Sequence, residues 1–368
     1  MEIKRIVVKI GSNLVSKDRG KYLTSLVEQI SLLKKDGCEI ILVSSGAIVT
    51  GVIEYNLWTK PRTIVEKQAY ASIGQPLLMK NYIDEFKLYK IKVAQILLTR
   101  EDFDSRERYL NIRNTLNHLL KMGVIPIINE NDAVANEEIK LGDNDTLSAV
   151  VASKLSADML IILTDVEGLY NKNPKKHSDA VIVPEIKNVS TLKKICSKNG
   201  FSHTDFFCST GGMKTKIEAS KIACLSGVET IIASGLKKNV LLDIYSGEKT
   251  VGTRFCPLDR EISSRKRWIA FGKKIKGRII IDDGAADAII NKNKSLLSSG
   301  IKFIEGKFYS GEVISIVDEK NNELARGITN FGVDMLEMIK GKKTSEIKKQ
   351  FPELTTEEVI HRDNLVIL

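Results

Sequence analysis

Short apolar runs alternate, over the first 255 residues, with longer stretches in which apolar side chains recur three and four positions apart. The short runs, at 5–10, 39–43, 92–98, 124–128, 159–163 and 229–233, are rich in Ile, Val and Leu and are predicted to be strands buried on both faces. Leu23, Leu26, Val27, Ile30 and Leu33 mark a helix closed by Asp36-Gly37. Further helices are predicted over about 68–86, 106–122 and 214–226, the last followed by Gly227. Another is expected to start near Asp145-Thr146, because Leu147, Ala149, Val150 and Val151 follow. This alternation gives an α/β fold class: a mostly parallel, open sheet covered by helices on both faces, assigned to residues 1–255.

The pattern changes after Cys256-Pro257. Residues 256–272 read as a linker that holds the basic run Arg265-Lys266-Arg267 and Trp268. β-like runs follow at 277–281, 302–304, 312–317 and 323–328, separated by glycines and polar turns. Residues 273–352 are therefore assigned to a small β-barrel-like second domain and 353–368 to a C-terminal tail, with a polar, helical region at 340–356.

A chain of 368 residues is long for one core, which agrees with two domains. Its 43% hydrophobic and 28% charged content is that expected of a soluble globular protein. No apolar run approaches the roughly 18 residues of a membrane span, and residues 1–10 enter a strand directly, so a cytoplasmic protein is expected. Cys38, Cys196, Cys208, Cys224 and Cys256 are odd in number and form no CxxC pair, which points to reduced thiols. Four scattered histidines offer no zinc pattern. The net charge of +10 is spread thinly: from Cys256 onward 20 Lys and Arg stand against 17 Asp and Glu. Such a distribution suits anionic substrates or a solvated surface as well as it suits nucleic acid.

Four predicted strands end in small or polar residues: Gly11-Ser12, Ser45-Gly46, Asn129 and Thr164-Asp165. In open α/β sheets the ligand lies at such ends. The most polar of these stretches runs from Asn129-Glu130-Asn131-Asp132 to Gly142-Asp143-Asn144-Asp145-Thr146. A helix cap needs one such residue, so this many predict the wall of a polar-ligand site. Neither G-x-x-x-x-G-K-[ST] nor G-x-G-x-x-G occurs. The remaining phosphate devices are Lys9 beside Gly11, and Thr210-Gly211-Gly212-Met213-Lys214-Thr215-Lys216 at a helix start. Lys9 and Lys216 would supply point charges to a transferring phosphoryl group. No Ser/His/Asp arrangement is evident, and a carboxylate acceptor, already ionised, needs none. Ser45-Gly46 donating to a carboxylate, with Asp132 and Asn144 receiving an ammonium, describe an amino acid with a second carboxylate.

The segments VVKIGSN, VSSGAIVTG, INENDAV, GDNDTLSA, LTDVEGLYNKNP and STGGMKTK, in this order, resemble the amino-acid kinase family, and within it the members that phosphorylate the γ-carboxylate of L-glutamate in proline synthesis. The resemblance implies that Lys9 and Lys216 contact the phosphates of ATP and that Asp145 organises the two lysines. It implies glutamate binding by Ser45, Asp132 and Asn144, and a nucleotide lined by Lys9, Gly11, Thr164, Asp165 and residues 210–216. Mg2+ would accompany ATP, with its protein ligands unassigned. Asn13 stands where a small hydroxyl residue is common in the family, and Ser209 where glycine is common. GRIIIDDGAADAI, SLLSSGI, GKFYSGEVISI and ELARGITNF resemble a PUA domain, a module often found on RNA-modifying enzymes. With so small a basic surplus, a structural or regulatory appendage is favoured over RNA contact. The resemblance further implies a homo-oligomer, feedback inhibition by proline and hand-over of the acyl phosphate to glutamyl phosphate reductase. The alternatives are a sister kinase acting on aspartate or N-acetylglutamate, and an RNA-binding protein that uses the kinase fold as a scaffold.

Overall fold

Strand β1 (Arg5–Ile10) sends Ile6, Val8 and Ile10 into one apolar cluster and Val7 into another, on opposite faces of the sheet. Its neighbours β2 (Glu39–Ser44) and β5 (Met159–Thr164) alternate in the same way, which is why these strands read as unbroken apolar runs. The computed structural model describes residues 4–16, 21–55, 61–99, 101–135, 144–172, 174, 177–187, 211–248, 250–257, 266, 269–270, 275–354 and 356–367. It divides the chain into two units, Met1–Glu261 and Ile262–Leu368.

In the first unit β3 (Val93–Leu98) and β4 (Ile125–Glu130) lie on one side of β2. β6 (Glu185–Ile186), β7 (Glu229–Ser234) and β8 (Thr253–Phe255) complete the order β3-β4-β2-β1-β5-β7-β8-β6. Every pairing from β3 through β7 is parallel. β8 turns antiparallel to β7 and pairs with β6, an edge too short to show in the sequence. The mostly parallel sheet is as expected.

Helices α1 (Ser12–Ser16), α2 (Lys21–Lys35), α3 (Ala47–Glu54) and α4 (Ile64–Lys87) contribute to the cluster on one face. In α2 the predicted stripe Leu23, Leu26, Val27, Ile30 and Leu33 is buried, each side chain contributing about 1.5–3 kcal/mol. α5 (Glu101–Asp104), α6 (Arg106–Lys121), α7 (Asn144–Lys154) and α8 (Gly211–Leu225) serve the other face, and α9 (Val240–Tyr245) returns to the first. All of α7 except Thr146 is buried, and the small residues Ser148, Ala149, Ala152 and Ser153 suit a helix covered on every side.

The crossing of α3 and α4 is unusually close. A Cβ on Gly51 would lie 2.1 Å from the carbonyl oxygen of Tyr70, and one on Gly74 would lie 1.9 Å from that of Ala47. Only glycine at both positions lets the two backbones touch. α3 was not foreseen, because AIVTGVIE is short, apolar throughout and broken by Gly51.

The second unit carries β9 (Gly277–Ile281), β10 (Leu296–Leu297), β11 (Ile301–Gly306), β12 (Val313–Val317) and β13 (Glu323–Ile328), then β14 (Glu358–Ile360) and β15 (Leu365–Ile367). Five of these form a sheet ordered β11-β9-β12-β13-β15, and β10 pairs with β14. α10 (Asp283–Ile290), α11 (Val333–Ile339) and α12 (Thr344–Gln350) lend Ile289, Leu336, Ile339 and Ile347 to its core. Residues 353–368, read from sequence as a tail, supply β14 and β15 instead. Their strands are too short to register as an alternating pattern. Likewise Ile269 and Ala270, placed in the linker, are fully buried against Val313 and Val366. Arg265, Arg267 and Trp268 lie outside the described residues. Among the described residues no helix is long and apolar enough to cross a membrane.

Candidate active site

The side-chain alternation of β1 puts Lys9 on the same face as Val7, towards α7 and α8. There its Nζ lies 2.6 Å from Oδ1 of Asp145, in the first turn of α7. Lys216 of α8 donates from Nζ to Asp145 Oδ2 at 3.0 Å, and the Thr215 hydroxyl donates to the same oxygen at 2.9 Å. All three charged groups are buried: Asp145 is 0% exposed, Lys9 3% and Lys216 8%. Burial alone would push the Asp145 carboxyl up. The charges of Lys9 and Lys216, and their hydrogen bonds, outweigh it and hold the group below the usual carboxylate range. Two lysines against one carboxylate leave a buried surplus of positive charge, which a phosphate-bearing ligand would neutralise.

Two glycines lie beside this charge. A Cβ on Gly11 would come within 4.0 Å of Lys9 Nζ, and one on Gly212 within 3.9 Å of Lys216 Nζ. Gly211 and Gly212 form the first turn of α8, where backbone N–H groups have no partner within the helix. The Gly212 carbonyl accepts from Lys216 Nζ at 3.1 Å and from the Thr215 hydroxyl at 3.0 Å, which ties the loop to the charge cluster. Lys214 is exposed beside it. Met213, grouped by sequence with the nucleotide loop, turns its side chain into the core with Leu147 and Val150. Thr210 and Ser209 lie outside the described residues.

Thr164 ends β5 and its hydroxyl donates to Asp165 Oδ1 at 3.2 Å. Asn13 donates to Asp165 Oδ2 at 3.0 Å, so the family departure at this position joins the loops after β1 and β5. Partial burial opposes ionisation of Asp165, but the Asn13 amide, its own backbone N–H and the Thr164 hydroxyl lower its carboxyl below the usual value.

On the other side of Asp145, the Asn144 Nδ2 donates to Ser45 Oγ and to Asn129 Oδ1, both at 2.9 Å. Asn144 Oδ1 is buried without a hydrogen-bond partner among the described residues. Such an acceptor costs about 1–3 kcal/mol unless a donor reaches it, and a ligand ammonium would be that donor. Ser45 precedes Gly46, whose φ of 114° only glycine adopts easily, and α3 begins at once. Asp132 is half-buried on the turn after β4. The amide of Gln75 on α4 and the hydroxyl of Tyr82, 2.8 Å from Ser44 Oγ, support this half from beneath. Sequence reading passed over both, since one polar residue in a long helix carries no periodic signal.

The amino acid kinase family model matches residues 4–234, which include every described residue of this site. The chain belongs to the amino acid kinase family. A PUA domain model matches residues 277–351. The chain is 50% identical to glutamate 5-kinase of Thermoanaerobacter sp. (strain X514), with 99% of this chain and 98% of that one covered. It is 44% identical to glutamate 5-kinase of Dictyoglomus thermophilum, over 99% of this chain and 98% of the relative. A solved structure of N-acetylglutamate synthase from Neisseria gonorrhoeae shares the fold, with a TM-score of 0.53 and 15% identity, covering 70% of this chain and 60% of that one.

For an amino acid kinase the donor set also bears on the metal. Both Asp145 oxygens are occupied by Lys9, Lys216 and Thr215. Among the described residues no group of three or more His, Cys, Asp or Glu could hold an ion. The described residues therefore form no metal site of their own.

Proposed function

We propose that the chain transfers the γ-phosphoryl group of ATP to the γ-carboxylate of L-glutamate, giving ADP and L-glutamyl 5-phosphate. The observation that carries this reading is the adjacency of Asn144 and Asp145. One leaves a buried amide oxygen without a hydrogen-bond partner among the described residues, the other holds two buried lysines. A glutamate carboxylate is ionised at neutral pH, so its oxygen attacks the γ-phosphorus without a base. The bond to the β–γ bridging oxygen breaks and ADP leaves with the electron pair. Lys9 and Lys216 balance the charge that spreads over the transferring group, and Asp145 keeps both ammonium groups in place. The first turn of α8, with Gly11, would receive the phosphates, while Thr164 and Asp165 would border the nucleotide. Magnesium bound with ATP supplies further charge neutralisation.

On the acceptor side Ser45, Asp132 and Asn144 would hold the α-amino and α-carboxylate groups. Aspartate would leave its carboxylate one methylene short of the phosphorus, and N-acetylglutamate offers no charged amine to Asp132. ADP release measured against L-glutamate, L-aspartate and N-acetylglutamate tests the reading. Activity confined to L-glutamate is expected, and preference for another acid would overturn it.

Proline carries the same α-amino and α-carboxylate groups, so Asp132 and Asn144 would serve it too, and inhibition competitive with glutamate is expected. The acyl phosphate is reactive towards water, which favours consumption by a glutamyl phosphate reductase close to the enzyme. We assign the protein to the cytoplasm and to a homo-oligomer, and the PUA domain to a structural or regulatory role rather than to RNA.

A further inference from the structure

We propose that Gln75 of α4 is a positioning residue for the acceptor half of the site, anchoring a chain of side-chain amides that fixes which atom of Asn144 faces the ligand. The inference rests on the reading of that half as the amino-acid pocket.

The direction of the chain follows from hydrogen-bond chemistry. Asn129 Oδ1 accepts the backbone N–H of Glu130 at 2.9 Å, and a backbone N–H can only donate. This assigns the oxygen and nitrogen of the Asn129 amide, which are otherwise hard to tell apart. The same oxygen accepts from Asn144 Nδ2 at 2.9 Å. With its oxygen committed, Asn129 must donate from Nδ2, and the acceptor is Gln75 Oε1 at 2.8 Å. Gln75 Nε2 in turn donates to Gln95 Oε1 of β3 at 3.2 Å. At the other end, Asn144 commits Nδ2 to Asn129 and to Ser45 Oγ. Only its Oδ1 remains for the ligand, as an acceptor.

Gln75 is held where it must be. It is 9% exposed on α4, one residue after Gly74, the point at which α4 touches the backbone of α3. Tyr82, seven residues on and on the same helical face, meets Ser44 Oγ. One helix thus braces both Asn129 and the Ser44-Ser45 loop. Removing the Gln75 oxygen would leave the buried Asn129 Nδ2 without an acceptor and release the plane of the amide that steers Asn144.

The test is a double-mutant cycle on the full chain with whichever acidic amino acid the wild type accepts. Gln75→Met keeps the volume and removes the hydrogen bonds. It is expected to raise KM for that amino acid about tenfold or more, leaving kcat within about threefold and KM for ATP unchanged. In an Asn144→Ala background the same substitution should add nothing to KM, since its target is gone. A wild-type KM in Gln75→Met would overturn the proposal, and so would an effect that simply adds to that of Asn144→Ala. Gln75→Glu keeps the acceptor for Asn129, while the exposed Gln95 can turn its amide to donate, so a KM within about threefold of wild type is expected. A tenfold rise in that variant would also overturn the proposal, including where Gln75→Met fails to fold. Failure of the functional reading itself appears separately, as a wild type that releases no ADP with L-glutamate.

Discussion

Asn144 and Asp145 are consecutive residues at the start of α7 that serve opposite halves of one site. Asn144 donates to Ser45 and Asn129, whereas Asp145 accepts from Lys216 and Thr215 and pairs with Lys9. One helix start therefore sets the spacing between the Ser45 and Asn129 side chains on one side and the Lys9 and Lys216 charges on the other. α7 is fixed by burial on nearly every side, which makes that spacing a property of the core rather than of a loop.

The charge cluster gives the first prediction. Lys9→Ala or Lys216→Ala is expected to lower kcat at least about a hundredfold, the scale of lost electrostatic stabilisation of a transferring group. Steady-state kinetics at saturating ATP and glutamate measure it, and wild-type turnover in either variant would remove that lysine from the mechanism.

Asp145 should show itself in stability as well as rate. Its carboxyl titrates below the usual range in the folded protein because Lys9 and Lys216 outweigh its burial. A lowered folded value means that the stabilisation is present above the unfolded carboxylate value of about 4 and is lost as pH falls through the folded one. Asp145→Asn leaves two buried ammonium groups facing each other, so it should unfold at lower denaturant than wild type near neutrality. The gap between their denaturation midpoints should narrow as pH drops below about 4. A gap that does not change with pH would contradict the assignment.

How much of this was legible beforehand varies with the kind of signal. The central strands could be read because burial on both faces demands apolar runs. Lys9 and Lys216 drew notice beside glycines at a strand end and a helix start, whereas the tie of Asp145 to both lysines came from the family resemblance. α4 was placed a turn late, although Thr63 and Glu66 form a capping box that marks its start. Asn129 stood out as a polar strand end, but its partners Gln75 and Gln95 did not: they are neutral and far apart in sequence, and only the fold shows that the three amides touch. The short strands β14 and β15 escaped for a related reason, since each depends on a distant partner rather than on its own pattern.

Asp132 tests the acceptor half. Asp132→Asn should raise KM for glutamate while leaving KM for ATP nearly unchanged, because a short carboxylate on the turn after β4 would meet the ammonium and not the nucleotide. A selective loss of ATP affinity would move Asp132 to the other half of the site.

The close crossing of α3 and α4 predicts a structural cost at a distance from the charges. Gly74→Ala would place a methyl group 1.9 Å from the Ala47 carbonyl oxygen, so the helices must part. A loss of about 1–3 kcal/mol is expected from such overpacking, read as a lower denaturation midpoint with an unchanged slope. Since α4 also braces Asn129, KM for glutamate should rise in the same variant. An unaltered midpoint would mean that the crossing yields more easily than its geometry implies.

The division of labour between the two units can be tested by cutting the chain. The apolar clusters of the α/β unit draw on residues up to Phe255, and those of the second unit begin at Ile269. None of the lysines, carboxylates or amides of the site lies beyond Lys216. Each unit thus has its own core, the condition for folding alone. Deleting 262–368 is expected to leave a cooperative melt and a kcat within a few-fold of the full chain, although assembly and inhibition by proline are free to change. Restoring the second unit as a separate chain should then do little for turnover. A truncated protein that folds by circular dichroism and a cooperative melt, yet lacks kinase activity, would show that the PUA unit helps to build the active site.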